Sequence, residues 1–111
     1  MSQTGQNRVY RAIADPTRRA ILDLLVSSER SVKELTAQFS VSQPAISQHL
    51  AELKAARLVV ARRVHRENRY RLTAASLGPV LNWVGKYRHL IDPAGHHWAI
   101  GGAIGRSEKK R

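Results

Sequence analysis

Three groups of side chains in this 111-residue chain have types and spacings that can do chemistry. Gln43, Ser47 and Gln48 follow one another along a short segment, with Ser42, His49 and Lys54 close by. An amide can hydrogen-bond adenine at two atoms, and a hydroxyl can meet a base edge or a phosphate, so the segment has the groups needed to read duplex DNA. Between Arg57 and Arg71 stand six arginines, Arg62, Arg63, Arg66 and Arg69 among them, opposed only by Glu67. Such a density suits phosphate contact, or insertion into a minor groove, where the local potential attracts guanidinium; a plain solvated hairpin is the alternative. The third group is His89, Asp92, His96 and His97. The first two are spaced i, i+3 and can share a helix face, and the adjacent histidines can complete a nitrogen-rich site for nickel or zinc, although such a pair in a glycine-rich tail is as readily a solvated polar segment.

Composition narrows the field. Lys and Arg total 19 against 8 acidic residues, a formal charge of +11 that suits a polyanion: nucleic acid first, an anionic membrane surface second. Cysteine is absent, which removes disulfides, thiolate metal sites and cysteine nucleophiles and fits a cytoplasmic location. No stretch approaches the roughly 18 apolar residues of a membrane span. There is no G-x-S-x-G elbow, phosphate-binding glycine loop or HExxH, so the chain does not read as an enzyme.

These groups must be positioned by a small number of elements. Residues 1–7 are polar and read as a flexible lead-in, residues 8–91 as one domain, and residues 92–111 as a flexible basic tail in which Trp98 has no assigned role. Val9 and Ile13 mark a short first helix, and Asp15-Pro16 restarts the chain with an N-cap and a first-turn proline. Arg18 and Arg19 in that second helix are either phosphate-facing or solvated. Ser31 and Glu34 form a capping box for a third helix that buries Val32, Leu35 and Phe39, and a brief connector, 39–42, leads to a fourth. Its Ile46, Leu50 and Leu53 recur at i, i+4 and i+7, which makes one side core and leaves the other to Gln43, Ser47, Gln48 and Lys54; His49 lies partly toward the core. Residues 58–64 and 69–72 read as a hairpin with the four-residue loop 65–68. In it Arg69 and Arg71 face outward, opposite Tyr70 and Leu72, while Arg62, Arg63 and Arg66 lie near the tip. A last helix starts after Thr73 and runs to about Ile91, with Pro79 marking a later start or a kink. Its stripe of Leu77, Val80, Leu81, Val84, Tyr87 and Ile91, widened by Trp83 and Leu90, exceeds what one small core needs and implies a partner surface. The fold class is therefore mainly α with a small β-hairpin, a winged helix-turn-helix in the order α-α-α-α-β-β-α.

The segments AIADPTRRAILDLL, SVKELTAQFSVSQPAISQHLAELKAARLVVARR and NRYRLT, in that order, resemble the ArsR/SmtB family of bacterial repressors over roughly residues 8 to 91. The resemblance implies a homodimer held by the first and last helices, through Val9, Tyr10, Ile13 and the 77–90 stripe, with two recognition helices on a double-stranded, pseudo-palindromic operator. It also implies release of DNA by an effector, often a metal ion, and here the sequence departs from the family. Where the cysteine-pair site resembling ELCVCDL would fall, the chain reads SVKEL, and where a second site needs Asp and His early in the last helix, it reads Thr73-Ala-Ala-Ser76. The resemblance leaves open a nickel or zinc sensor, an effector-independent repressor, a repressor with an inducer-binding partner protein, and a winged-helix module for protein or RNA contacts.

Overall fold

The computed structural model describes residues 3–92. Helix α1, Gln3–Ala14, begins five residues before the expected start at residue 8, so most of the polar lead-in is helical, and it buries Val9 and Ala12. Helix α2, Pro16–Ser27, starts as its sequence dictates: the Asp15 carboxylate accepts from the Arg18 backbone N–H at 2.9 Å, and Pro16 fills a first-turn position where its missing N–H loses no bond. Ile21, Leu22 and Leu25 bury its inner face.

The short strand β1, Arg30–Ser31, was not expected; two residues are too few to show a strand pattern. Ser31 also caps α3, Val32–Thr36, and the capping box is complete: Glu34 N donates to Ser31 Oγ at 3.1 Å, and Ser31 N to Glu34 Oε1 at 2.9 Å. Helix α3 ends at Thr36, earlier than expected, and Phe39 packs against the core from the connector.

Helix α4, Gln43–Ala55, is capped by Ser42 and presses Ile46, Leu50 and Leu53 fully into the core. Each such side chain stabilises the fold by about 1.5–3 kcal/mol relative to exposure. Its C-terminus closes with paired bonds, Arg57 N to Lys54 O at 3.0 Å and Leu58 N to Leu53 O at 3.0 Å, while Arg57 takes φ 62. This is the closure that glycine usually provides, here carried by arginine with Leu53 and Leu58 buried together beneath it.

Strands β2, Val59–Val64, and β3, Glu67–Leu72, are antiparallel, and β1 pairs with the far side of β3, giving the order β1-β3-β2. The hairpin loop is two residues, His65-Arg66, with His65 at φ 58, and not the expected four. Glu67 and Asn68 are poor strand formers by type, yet they pair with Val64 and Arg63 because a tight turn fixes the register. The expected long last helix is three pieces: a 3-10 turn, Ala74–Leu77, then α5, Gly78–Gly85, and α6, Arg88–Ile91. Gly78, Pro79 and Gly85 explain the breaks, being the residue types least suited to a helix interior.

Residues up to Val80 form one compact unit and those from Leu81 a second. The first contains the core and the winged helix-turn-helix, so the expected fold class holds, with the hairpin enlarged to three strands. Among the described residues no helix is long and apolar enough to cross a membrane.

Candidate nucleic-acid interface

Helix α4 projects its side chains at about 100° per residue, and that step sorts the predicted reading residues. Gln43, Ser47 and Lys54 fall within roughly 40° of one another, whereas Gln48 lies about 100° further round from Ser47. All four are exposed. The expected single polar side is thus two strips: Gln48 stands almost opposite the buried Ile46, Leu50 and Leu53, whereas Gln43, Ser47 and Lys54 run along one margin of that core face. Ser42 is exposed too, but its hydroxyl accepts from Ala45 N at 3.3 Å, so it begins the helix before it can meet anything else.

His49 departs from the expected group. It lies on the opposite margin of the core, its side chain 20% exposed, with Nδ1 3.2 Å from Arg18 Nη1 and 3.9 Å from Asp15 Oδ2. It joins α4 to the start of α2 and does not share a strip with Gln43.

Arg18 and Arg19 also have a role that neither sequence alternative named. The last four carbonyls of a helix lack intrahelical partners. Here Arg18 donates to Arg11 O at 3.1 Å and Ala12 O at 2.8 Å, and Arg19 to Ile13 O at 2.9 Å and Ala14 O at 3.1 Å. All four orphan carbonyls of α1 are satisfied, and the same segment holds Asp15 well ionised: the Arg18 backbone N–H lowers its pKa, with His49 and the Arg18 charge adding to the effect.

The wing separates its arginines into two kinds. In the β2–β3 register Arg62 is opposite Arg69 and Arg63 opposite Asn68. Arg69, expected to face outward, is turned inward, its side chain 21% exposed. It donates to Glu67 at 2.9 Å, Glu34 at 3.0 Å, the Glu29 carboxylate at 3.3 Å and the Glu29 carbonyl at 3.1 Å. Three carboxylates around one guanidinium outweigh exposure as a destination for that charge, and they raise its pKa, Glu67 most. Arg62 is 62% exposed yet grips Glu29 with two bonds, 2.7 and 3.0 Å. Glu29 is held below the ordinary carboxylate range chiefly by Arg62, and Glu34 chiefly by the Ser31 backbone N–H, with Arg69 contributing to both. By contrast Arg63, Arg66 and Arg71 are exposed and have no side-chain partner among the described residues. Sequence reasoning missed Glu29 and Glu34 as wing anchors; the only signal was that a chain so short of acids places two of them just before the recognition segment.

Leu81, Trp83, Tyr87 and Leu90 are exposed, Leu90 at 67%, and Trp83 and Tyr87 meet edge to face with ring centroids 5.7 Å apart. The other residues predicted for a partner surface divide. Val9 is 1% exposed and belongs to the chain's own core, so it offers nothing to a partner, and Ile13, Leu77 and Val80 pack against that core. Tyr10 and Val84 are half-buried. Of the four candidate metal ligands, His89 lies in α6 and Asp92 caps its end, whereas His96 and His97 lie outside the described residues. Among the described residues no three His, Cys, Asp or Glu side chains gather to hold a metal.

Comparison with known proteins matches residues 15–60, from the α2 cap to the start of β2, to the family of bacterial regulatory proteins described as arsR. The chain is 38% identical over 78 residues to the transcriptional repressor SdpR of Bacillus subtilis (strain 168), covering 70% of this chain and 87% of that protein. It is 37% identical over 97 residues to the HTH-type transcriptional regulator Rv2034 of Mycobacterium tuberculosis (strain ATCC 25618 / H37Rv), covering 80% and 91%. Among solved structures, an ArsR-like transcriptional regulator from Rhodococcus sp. RHA1 is 32% identical with a TM-score of 0.70, covering 82% of this chain and 84% of that one.

Proposed function

The chain belongs to the arsR family of bacterial regulatory proteins, a family of DNA-binding transcription regulators and not of enzymes, and on that premise we propose that it is a homodimeric repressor of a pseudo-palindromic operator. The observation that carries the proposal is α4 itself: its inner face is fully buried while Gln43, Ser47 and Gln48 stand exposed in its first two turns. A helix anchored in that way can enter a major groove with its N-terminal side chains toward base edges. Arg63 and Arg66, and Arg71 with them, supply phosphate contact, with Lys54 adding charge along the helix. Arg62 is available only by giving up Glu29, and Arg69 and His49 serve as positioning residues.

Residues 8–91 act as the DNA-binding and dimerisation domain in this reading. The exposed apolar run of Leu81, Trp83, Tyr87 and Leu90 supports dimerisation, and two-fold symmetry would set half-sites about one helical turn apart. For nickel or zinc as effector the candidate ligands are His89, Asp92, His96 and His97, of which only His89 and Asp92 lie among the described residues. Control without a metal, including through an inducer-binding partner protein, is the alternative.

Fluorescence anisotropy tests the proposal: the dimer against DNA from upstream of its own gene and against a scrambled duplex, at physiological salt. A preference of about a hundredfold or more is expected. Gln43→Ala or Ser47→Ala should reduce that preference, because base-edge contacts specify. Equal binding to both duplexes would leave only a basic winged-helix module and direct attention to protein or RNA partners.

A further inference from the structure

We propose that a cleft at the rear end of the recognition helix binds a small organic anion, a carboxylate on a short apolar body, and that occupancy weakens DNA binding. The cleft, about 690 Å³, is walled by the first turns of α1, the end of α4 and the junction of the 3-10 turn with α5. Its volume lies within the roughly 300–1,000 Å³ typical of small-molecule sites.

The lining has a consistent chemistry. Arg8 and Arg57 both line it, and neither side chain has a partner among the described residues. Among the described residues no carboxylate lines the cleft. Ser76, which also lines the cleft, is 8% exposed, and its hydroxyl makes no hydrogen bond among the described residues. A buried hydroxyl normally has a partner, so an unmatched one on a residue of the cleft wall points to a ligand oxygen. Ala56, Ala75 and Pro79 supply apolar wall suited to a few methylene groups.

Arg57 is built into place. Its backbone is held left-handed at φ 62, its carbonyl accepts from Thr73 Oγ1 at 3.0 Å, and its N–H closes α4. A side chain other than glycine at such a position signals local strain that often accompanies a functional site. Duplex DNA is too wide to reach Ser76 inside the cleft, so a small anion is the better occupant.

The link to DNA binding rests on the repressor reading above. Arg57 joins α4 to β2, so a ligand there touches the junction between recognition helix and wing. It also neutralises positive charge, and by linkage a ligand that lowers DNA affinity must itself be bound less tightly by the DNA complex.

Calorimetry on the full chain with hexanoate as probe, beside acetate and hexylamine, tests the site. Hexanoate is expected to bind with Kd below about 1 mM, acetate at least about tenfold more weakly, and hexylamine not at all. Arg57→Gly keeps the left-handed backbone while removing the cation; it and Arg8→Met, with thermal melts confirming that both fold, should each weaken hexanoate about tenfold. Ser76→Ala should weaken it less. Amide shifts of Gly5, Ala55 and Ala75 on titration would locate the ligand. No hexanoate binding, equal binding of hexylamine, or unchanged affinity in both arginine variants would each overturn the site. On DNA, saturating hexanoate should lower affinity by about threefold or more. If the two variants instead lose DNA affinity and salt slope without hexanoate, the arginines belong to the DNA face and the cleft proposal fails. Operator preference measured without hexanoate tests the repressor reading separately.

Discussion

The middle of the wing and its tip contain the same residue type doing different work. Midway along the hairpin Arg69 is surrounded by Glu29, Glu34 and Glu67, so its charge ties strand β3 to the start of α3 and to the segment before β1. Toward the tip Arg63 and Arg66, and nearer the base Arg71, have no carboxylate partner among the described residues. The α1–α2 junction repeats the inward role: Arg18 and Arg19 occupy four backbone carbonyls. A count of arginines therefore overstates the phosphate-binding surface, and only partner geometry separates the anchoring arginines from those free to meet phosphate.

The strongest challenge to that division is Arg18→Ala, which leaves two α1 carbonyls without donors. It should cost about 2 kcal/mol and lower Tm by roughly 10 °C in a circular-dichroism melt, with the DNA salt slope unchanged. Arg69→Ala should lower Tm less, since water can replace part of what its accessible carboxylates lose. Its signature is pH dependence. The pKa values of Glu29, Glu34 and Asp15 lie below their ordinary 4.5, 4.5 and 3.8, so the stability they contribute is fully present above those values and is lost as pH falls through the lowered ones. Melts at successive pH values below about 5 should show the gap between parent and Arg69→Ala narrowing; a gap that stays constant would remove the carboxylates from the explanation. At the tip, Arg63→Ala and Arg66→Ala should leave Tm where it was and flatten the DNA salt slope by about one unit for each phosphate no longer neutralised. A Tm loss there as large as for Arg69→Ala would erase the distinction. The smallest effect is expected of His65→Gly, which relieves a left-handed residue in the hairpin turn and should raise stability by less than about 1 kcal/mol in denaturant titration.

Much of this architecture is readable residue by residue. Asp15-Pro16, the Ser31/Glu34 capping box, and the Ile46, Leu50, Leu53 stripe each specify local structure through short-range hydrogen bonding or helical periodicity, and all three are found as expected. The exposure of Gln43, Ser47, Gln48 and Lys54 follows from the same periodicity. The misses share a physical cause. Strand β1 is two residues long, the two-residue turn overrides the weak strand preference of Glu67 and Asn68, and arginine stands at the α4 terminus where glycine would have signalled the closure.

Sequence alone determined where α2, α3 and α4 begin, which face of α4 is core, that the charge favours a polyanion, and that the motif order is that of a winged helix-turn-helix. Those properties depend on neighbours within a turn or two. Tertiary structure alone decided which arginines are structural, that His49 joins α4 to α2, and that Arg8, Arg57 and Ser76 share a cleft. Glu29 and Arg69 are separated by 40 positions and His49 and Arg18 by 31, and no local pattern encodes a partner at such distance. A charge seeks the nearest favourable counter-charge or carbonyl in space, and only folding determines what is near.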